Sequence, residues 1–192
     1  HHLALLKGID NAAEREEQIL HLLGKVNLSG YRNKEVHTFS GGMKQRFGIA
    51  QALLGNPKVI IVDEPTAGLD PEERNRFNTL LSEISEEIIV ILSTHLVEDV
   101  RNLCSQVAII KDVCVQAVGR PSEMIAALKG KIWTRQVPRS EWADCQSQHR
   151  VLSRLLIEKT MHVAVYENEQ PKGFQETTPT LEHVYFHTLY QQ

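Results

Sequence analysis

The sequence predicts an α/β fold that is built around a short parallel sheet. Two aliphatic runs, at residues 59–62 and 88–92, have the composition of strands that are buried on both faces. The first run ends directly at the acids Asp63 and Glu64, and the second ends shortly before His95. Ligands of open α/β sheets bind beyond the carboxyl ends of the strands. The two acids would therefore lie where Mg²⁺-bound phosphate binds, although a strand that ends in two solvated acids fits the same short pattern.

A Ser-Gly-Gly turn precedes the first strand and opens a helix. The apolar residues after this turn have helical spacing, and the Gly-Asn-Pro sequence at residues 55–57 ends the pattern. The N–H groups of Ser40, Gly41 and Gly42, together with the helix dipole, would form an anion site, and the hydroxyl of Ser40 would add a further polar group. An ordinary glycine-rich turn before an amphipathic helix is the alternative interpretation.

Capping residues predict where two further helices begin. Asn11, with Glu14 three residues later, predicts a capping box for a helix that ends near residue 23. Asp70 is followed by Pro71 and Glu73, which predicts a capped helix with proline at its first position and a second capping box. This second helix lies between the two aliphatic runs.

The character of the sequence changes after Gly130, which we interpret as a domain boundary. Before it, the pattern predicts strands at 107–110 and 113–118 and a short helix at 122–128. After it, the pattern predicts strands at 131–137 and 161–166, a helix at 151–158 and a last helix from residue 178. The expected domains are 1–129, with a helical part at about 1–55 and a strand-bearing part at about 56–129, and 130–192.

Composition sets broad limits on the class of protein. The 192 residues include 21 Lys and Arg against 24 Asp and Glu, and this formal charge of -3 gives no reason to expect nucleic acid as a partner. The three cysteines, an odd number with wide spacing, argue against a disulfide framework and are typical of a reducing compartment. Because no apolar run approaches the roughly 20 residues of a membrane helix, we expect any membrane contact to be made through a partner.

Two histidines on the last predicted helix are a weak candidate for a metal site. His183 and His187 lie four residues apart, so that they share one helix face. The positions between them offer no carboxylate, and two solvated histidines are the favoured interpretation.

Four motifs in order resemble the ATPase subunits of ABC transporters. Residues 39–46 resemble the signature motif, Asp63-Glu64 the Walker B motif with its glutamate, residues 65–71 the D-loop, and His95 the switch histidine. The resemblance covers about residues 3–129 and implies a partial RecA-like P-loop NTPase core with an α-helical signature subdomain. The residues after Gly130 would be a small α+β C-terminal appendage, similar to the tail of ABC-2 type exporter ATPases.

The resemblance implies a role for each site residue, with ATP and Mg²⁺ as cofactors. Asp63 would hold Mg²⁺, Glu64 would orient or deprotonate the water that attacks the γ-phosphate, and His95 would sense that phosphate. The nucleotide-binding residues would be Ser40, Gly41, Gly42, Met43 and Asp70, and the signature residues among them would meet the nucleotide of the opposite subunit. Phe39 and Met43 depart from the commoner Leu and Gln of the family, and Met43 removes one polar contact.

The 192 residues contain no G-x-x-x-x-G-K-[ST] phosphate loop, the motif whose amides and lysine hold the β- and γ-phosphates. The two Gly-Lys pairs, at 24–25 and 130–131, are followed by Val26 and Ile132 instead of Ser or Thr. In the family this Walker A motif precedes the region with which the chain begins. We therefore expect the chain to be the carboxyl-terminal part of a longer ATPase and to be inactive alone.

The function that the resemblance implies is ATP-driven transport across a membrane. The expected partners are a transmembrane permease subunit and a second ATPase subunit in a head-to-tail dimer, and the expected location is the cytoplasmic face of the cell membrane. Three alternatives stay open: a soluble, non-transport ABC ATPase, a non-catalytic fragment that acts only as a binding module, and a structural or interaction fragment. The sequence does not indicate a transported substrate.

Overall fold

The computed structural model of the protein describes residues 1–157 and 160–190. The chain divides into two compact units, His1–Leu103 and Cys104–Gln192. This division falls before the boundary that the sequence predicted at Gly130. The reason is that the hairpin and helix that precede Gly130 pack against the last helix of the chain.

The first unit is a helical segment followed by a parallel strand pair. Its helices and strands are α1 (His2–Leu6), α2 (Ala12–Lys25), α3 (Gly41–Leu53), β1 (Val59–Asp63), α4 (Pro71–Ser85), β2 (Ile89–Ser93) and α5 (Val97–Leu103). Two 3₁₀ turns, Ser29–Tyr31 and Val36–Thr38, connect α2 to α3. One apolar core joins α2, α3 and α4 and includes the buried residues Leu28, Ile49, Phe77 and Ile84.

Strands β1 and β2 lie parallel, and their register sets Asp63 opposite Ser93. Only one face of this pair is buried. Its side chains, such as Ile60, pack into the apolar core of the unit. The prediction that both faces are buried is wrong within the described residues. Ile61 is 73% exposed and Ile89 is 63% exposed, so side chains of one face contact water.

Helix α4 begins as predicted, with Asp70 as its cap and Pro71 at its first position. The Oδ1 atom of Asp70 accepts a hydrogen bond from the N–H group of Glu73 at 2.8 Å. The Glu73 carboxylate does not complete the predicted capping box, because it pairs with Arg46 of α3 instead. Helix α2 is capped by Asn11, as predicted. The Oδ1 atom of Asn11 accepts hydrogen bonds from the N–H groups of Ala13 and Glu14.

The second unit contains a hairpin, a four-stranded sheet and four helical segments. Its elements are β3 (Val107–Lys111), β4 (Cys114–Gly119), α6 (Pro121–Ala126), β5 (Ile132–Val137), a 3₁₀ turn (Arg139–Glu141), α7 (Trp142–Gln148), β6 (Val151–Ile157), β7 (Thr160–Tyr166), β8 (Gln175–Glu176) and α8 (Leu181–Leu189). The antiparallel pair β3–β4 confirms the predicted strand pair. Helix α8 packs against α6, β3 and β4, and this packing places all of them in one unit.

The sheet of the second unit has the strand order β6-β7-β5-β8 and is antiparallel throughout. Its core holds Trp133, Val163, Val165 and Phe174. The predicted helix at residues 151–158 is wrong over the described part, because residues 151–157 form strand β6. Short apolar runs do not distinguish a helix from a strand, and here pairing with β7 decides. Position 158 of that prediction lies outside the described residues.

The described residues include no helix whose length and apolar character would let it cross a membrane.

The two histidines of α8 have structural roles: His183 is partly exposed, whereas His187 is buried, so the prediction of a solvated side chain is wrong for His187. His183 completes a capping box: its N–H donates to Oγ1 of Thr180 at 3.3 Å, and its Nδ1 accepts from the N–H of Thr180 at 3.1 Å. His187 is buried and lies against the ring of Tyr166, with ring centroids 4.1 Å apart. No cluster of metal-ligating side chains occurs among the residues that the structure describes.

Because of these histidines, we expect the stability of the second unit to decrease at acidic pH. Burial lowers the pKa of both imidazoles below the ordinary 6.5, and Arg150 and Lys131 lower the pKa of His187 further. Because the folded state then binds fewer protons than the unfolded state, stability is complete above the unfolded pKa and is lost as the pH falls below it. We expect the melting temperature to fall between pH 7.5 and pH 5, as measured by circular dichroism. This fall should be smaller in His187→Gln, whereas His21→Gln, at an exposed histidine of α2, should leave it unchanged.

Candidate functional site

The predicted acids lie at the carboxyl ends of the two parallel strands. Asp63 ends β1, and its Oδ1 atom accepts a hydrogen bond from the hydroxyl of Ser93, the last residue of β2. The backbone continues this pairing for one more residue, because the N–H of Glu64 donates to the carbonyl oxygen of Ser93 at 2.8 Å. The strand ends therefore present an exposed carboxylate beside a hydroxyl group.

The structure brings Glu64 and His95 together, although 31 residues separate them in the chain. The Oε1 atom of Glu64 lies 2.7 Å from Nδ1 of the His95 ring and accepts the N–H of His95 at 3.0 Å. Its Oε2 atom accepts the hydroxyl of Thr94 at 3.3 Å. Three donors from the segment after β2 thus fix the orientation of one carboxylate, which stays accessible to solvent.

These contacts keep Glu64 ionised. The hydrogen bond from the His95 side chain lowers the pKa of Glu64, and this effect exceeds the opposite effect of desolvation. The backbone N–H of His95 and the hydroxyl of Thr94 lower the pKa further. An ionised carboxylate can accept a proton from a bound water, which is the chemical requirement for a general base.

The backbone of Glu64 lies in the left-handed region, with φ of 44°. Residues other than glycine adopt this conformation rarely and at an energetic cost, and such strain concentrates at functional positions. It turns the chain sharply from β1 into the next loop, where the N–H of Ala67 donates to the carbonyl oxygen of Glu64 at 3.2 Å. The turn directs the side chain of Glu64 toward β2 instead of continuing the strand.

A buried hydrogen bond that the sequence analysis missed ties this loop to α5. The hydroxyl of Thr66 donates to Oδ2 of Asp99, and both residues are 1% exposed. A charged side chain at this depth requires a partner, since a buried carboxylate without one is costly. Thr66 and Asp99 therefore connect the loop after Glu64 to the helix after His95. In the sequence, the position of Thr66 directly after Asp63, Glu64 and Pro65 marks it as a residue near the site. No pattern in the sequence indicates Asp99 as its partner.

The Ser-Gly-Gly turn opens α3 as predicted. Ser40 is the helix cap, and its Oγ atom accepts the N–H of Met43 at 3.2 Å. The N–H groups of Gly41 and Gly42 lie in the first turn, where an α-helix leaves its amides without helical acceptors. The Met43 side chain packs against the apolar core of the unit, and the backbone N–H of this residue is the group that contacts Ser40.

The predicted residues thus form two groups within the first unit. Asp63, Glu64 and His95 share one hydrogen-bonded cluster, whereas residues 40–43 form the start of α3. Asp70 lies with the second group, because it caps α4 and α4 contacts α3.

The residues of the first group fit a magnesium-phosphate complex. Carboxylate and hydroxyl oxygens are the hard ligands that Mg²⁺ prefers, and the Asp63 carboxylate and the Ser93 hydroxyl supply both. Their position beyond the carboxyl ends of parallel strands is where α/β proteins bind such ligands. The geometry therefore indicates the class of α/β proteins that bind nucleotide phosphates.

Comparison with known proteins finds similarity to ABC transporters. The family model of ABC transporters matches residues 2–67. ABC transporter A family member 8 of Dictyostelium discoideum is 41% identical over 112 residues, which are 58% of this chain and 13% of that protein. The ABC transporter ATP-binding protein YxlF of Bacillus subtilis is 36% identical over 122 residues, which are 64% of this chain and 41% of that protein.

A solved structure agrees with these matches. The structure of cbiO1 from Clostridium perfringens, part of the ABC transporter complex cbiONQ, superposes with a TM-score of 0.58 and 32% identity. The match covers 65% of this chain and 51% of that chain. The part of the chain that these comparisons cover is similar to ABC transporter ATP-binding domains, and its fold is the RecA-like α/β fold of ABC ATPases. The chain spans only 13% and 41% of the two relatives named above.

Proposed function

We propose that this chain supplies catalytic and dimer-facing residues to an ATPase that drives transport across a membrane. The observation that supports this function is the hydrogen-bonded cluster of Glu64 and His95 beside Asp63, at the carboxyl ends of β1 and β2. Mg²⁺-ATP would supply the polarised phosphoryl group on which this cluster acts.

Each residue of the cluster has a distinct task. The Asp63 carboxylate binds the divalent cation, with its orientation set by the Ser93 hydroxyl. The Glu64 carboxylate, whose two oxygens are oriented by three donors, would position the attacking water and accept its proton. The His95 ring holds the Glu64 carboxylate through Nδ1 and would sense the γ-phosphate.

The start of α3 would contact a nucleotide that is bound to another ATPase subunit and would thereby complete that subunit's site. Its Gly41 and Gly42 amides and the hydroxyl of Ser40 present donors at a helix N-terminus, where an anion is favoured. Because the acids and this turn serve different nucleotides, two subunits would associate head to tail with Mg²⁺-ATP between them.

We further propose that a permease contacts the helical segment of the first unit. A cavity of about 480 Å³ lies between α2, α3 and the two 3₁₀ turns, and its lining includes Leu23, Leu28 and Phe47. Exposed Leu20 and Tyr31 at this cavity offer apolar surface to a segment of a membrane-embedded partner. The family places such ATPases on the cytoplasmic face of the membrane, which is the location we propose.

A non-catalytic binding module is the second candidate function. The observation that favours it is the α3 turn itself, because the Ser40 cap and the Gly41 and Gly42 amides form a group separate from the Glu64–His95 cluster. Such a module would offer its α3 turn to the nucleotide of another subunit without hydrolysing ATP itself. Both candidates require the α3 turn, and only the first requires Glu64.

The α3 turn can be tested with the B. subtilis relative as the second subunit. We expect Mg²⁺-ATP to promote association of the two proteins, as measured by analytical ultracentrifugation. Ser40→Arg should abolish this association, because a long cationic side chain fills the position where the phosphate binds. Ser82→Arg, at an exposed serine of α4, is the matched control and should leave association unchanged. Equal association of the Ser40 variant and the unaltered chain would contradict the proposal.

A further inference from the structure

Helices α3 and α4 are joined by an ion pair between two side chains that are largely removed from water. Nη1 of Arg46 donates to Oε2 of Glu73, and the two side chains are 11% and 21% exposed. Arg76 approaches the other carboxylate oxygen at 3.6 Å. The Nε atom of Arg46 is buried without a hydrogen-bond partner among the described residues. The pair is therefore a desolvated contact that crosses from one helix to the other.

An ion pair in this setting is a poor source of stability. Desolvation of two charges offsets much of their attraction, and well-packed apolar residues of similar size often stabilise a protein as well or better. What such a pair supplies is a defined geometry, because the charged groups match in one arrangement only. The Arg46–Glu73 pair thus fixes the position of the start of α4 relative to α3.

The Glu73 carboxylate lies directly over the Ser-Gly-Gly turn. A Cβ atom on Gly42 would lie 2.8 Å from Cδ of Glu73 and closer still to Oε2, so this contact is possible because residue 42 is glycine. The neighbouring glycine faces the same region, because a Cβ added to Gly41 would lie 3.9 Å from Cδ2 of Leu69. The start of α3 therefore lies beside the segment that runs from the loop after Glu64 into α4.

We propose that Arg46 and Glu73 are positioning residues that hold the Ser40–Gly42 turn against the loop at residues 65–70. This inference rests on the proposed function, because it concerns the placing of the anion-binding turn. The same loop follows Glu64 directly, and a hydrogen bond from Thr66 to Asp99 connects it to α5. The N–H of Glu73 donates to the side chain of Asp70, the residue that ends the loop and caps α4. The Arg46–Glu73 pair therefore connects the start of α3 to both the loop and the cap of α4.

A shift of the loop after Glu64 would therefore move the start of α3 with it. Without the Arg46–Glu73 pair, the start of α3 and the loop at residues 65–70 would each remain folded, but the distance between them would no longer be fixed.

The test uses the full 192-residue chain and a position-sensitive signal. In the unaltered chain we expect a nuclear Overhauser effect between the α-protons of Gly41 and the δ-methyl groups of Leu69. Arg46→Met alone should lower the melting temperature, because it leaves the Glu73 carboxylate without its main partner. The double variant Arg46→Met with Glu73→Gln should recover most of this loss, since no unpaired charge remains. The Overhauser effect should nevertheless stay weak or absent in the double variant.

The second measurement is the association with the B. subtilis relative in Mg²⁺-ATP. We expect the double variant to weaken it by about tenfold, the factor of one misplaced charge-assisted hydrogen bond. Arg101→Met, at an exposed arginine that pairs with Glu98 on α5, is the matched control and should change neither signal.

The outcomes separate this inference from the proposed function. If the double variant keeps both the Overhauser effect and full association, the pair is merely structural and the inference is wrong. If the unaltered chain does not associate at all, the proposed function fails, and the Overhauser effect still decides the role of the pair. Should Arg46→Met fail to fold, the double variant provides the same comparison.

Discussion

Glu64→Gln is expected to lower the turnover number of ATP hydrolysis by about 10²–10⁴, the usual contribution of a general base. The reason is that glutamine keeps the shape and one acceptor oxygen of Glu64 but cannot take a proton from the attacking water. Nucleotide binding should change little, because this carboxylate is neither the cation ligand nor part of the α3 turn. The measurement requires a phosphate loop, so we would use a chimera in which the phosphate-loop part of the B. subtilis relative precedes residue 1.

Two controls define this experiment. The 192-residue chain without the added loop should bind Mg²⁺-ATP weakly and show no turnover, and micromolar binding by calorimetry would contradict this expectation. Glu83→Gln, at an exposed glutamate of α4, should leave turnover in the chimera unchanged. A chimera that hydrolyses ATP equally well with Glu64 and with Gln at this position would favour the binding-module function and exclude Glu64 as the base.

The uncovered face of the β1–β2 pair is expected to make the chain self-associate. Val59 lies beside Ile89 and Ile61 beside Ile91, so four exposed aliphatic side chains form one contiguous patch. Contact between two such patches removes apolar surface from water, and strands without further neighbours favour pairing with another chain. Light scattering at increasing protein concentration should show the apparent mass rise toward that of a dimer.

Ile61→Lys should weaken this association by tenfold or more, since a lysine in the patch would bury an unpaired charge. Leu6→Lys is the matched control, because Leu6 is 72% exposed, close to the 73% of Ile61, and lies on α1 away from the strands. A chain that stays monomeric at every concentration, with one sharp thermal transition, would contradict the prediction.

Local patterns predicted the elements of the first unit well. The strands β1 and β2, the helix that opens at the Ser-Gly-Gly turn and the cap Asp70 all follow from patterns a few residues long. The reason is that caps and strand ends depend on local backbone geometry, which short sequences encode.

The failures concern contacts between distant segments. The Glu73 carboxylate pairs with Arg46 instead of closing its own helix cap, because a buried partner on another helix competes with the local bond. Asp99 was not recognised as the partner of Thr66 for the same reason. Strand β6 was interpreted as a helix, since pairing with β7 and not local preference determines its conformation.

The separation of Glu64 and His95 along the chain also affects how the site is made. Their contact spans 31 residues and requires the whole β1–α4–β2 crossover between them. Closing a loop of this length costs chain entropy that local contacts do not repay, so pairs of this kind form late in folding. During synthesis, helix α3 and the turn that opens it can be complete while Glu64 still lacks its histidine. The Glu64 carboxylate is therefore oriented only after β2 has docked on β1, and a nascent chain that already presents the α3 turn lacks the Glu64–His95 contact until then.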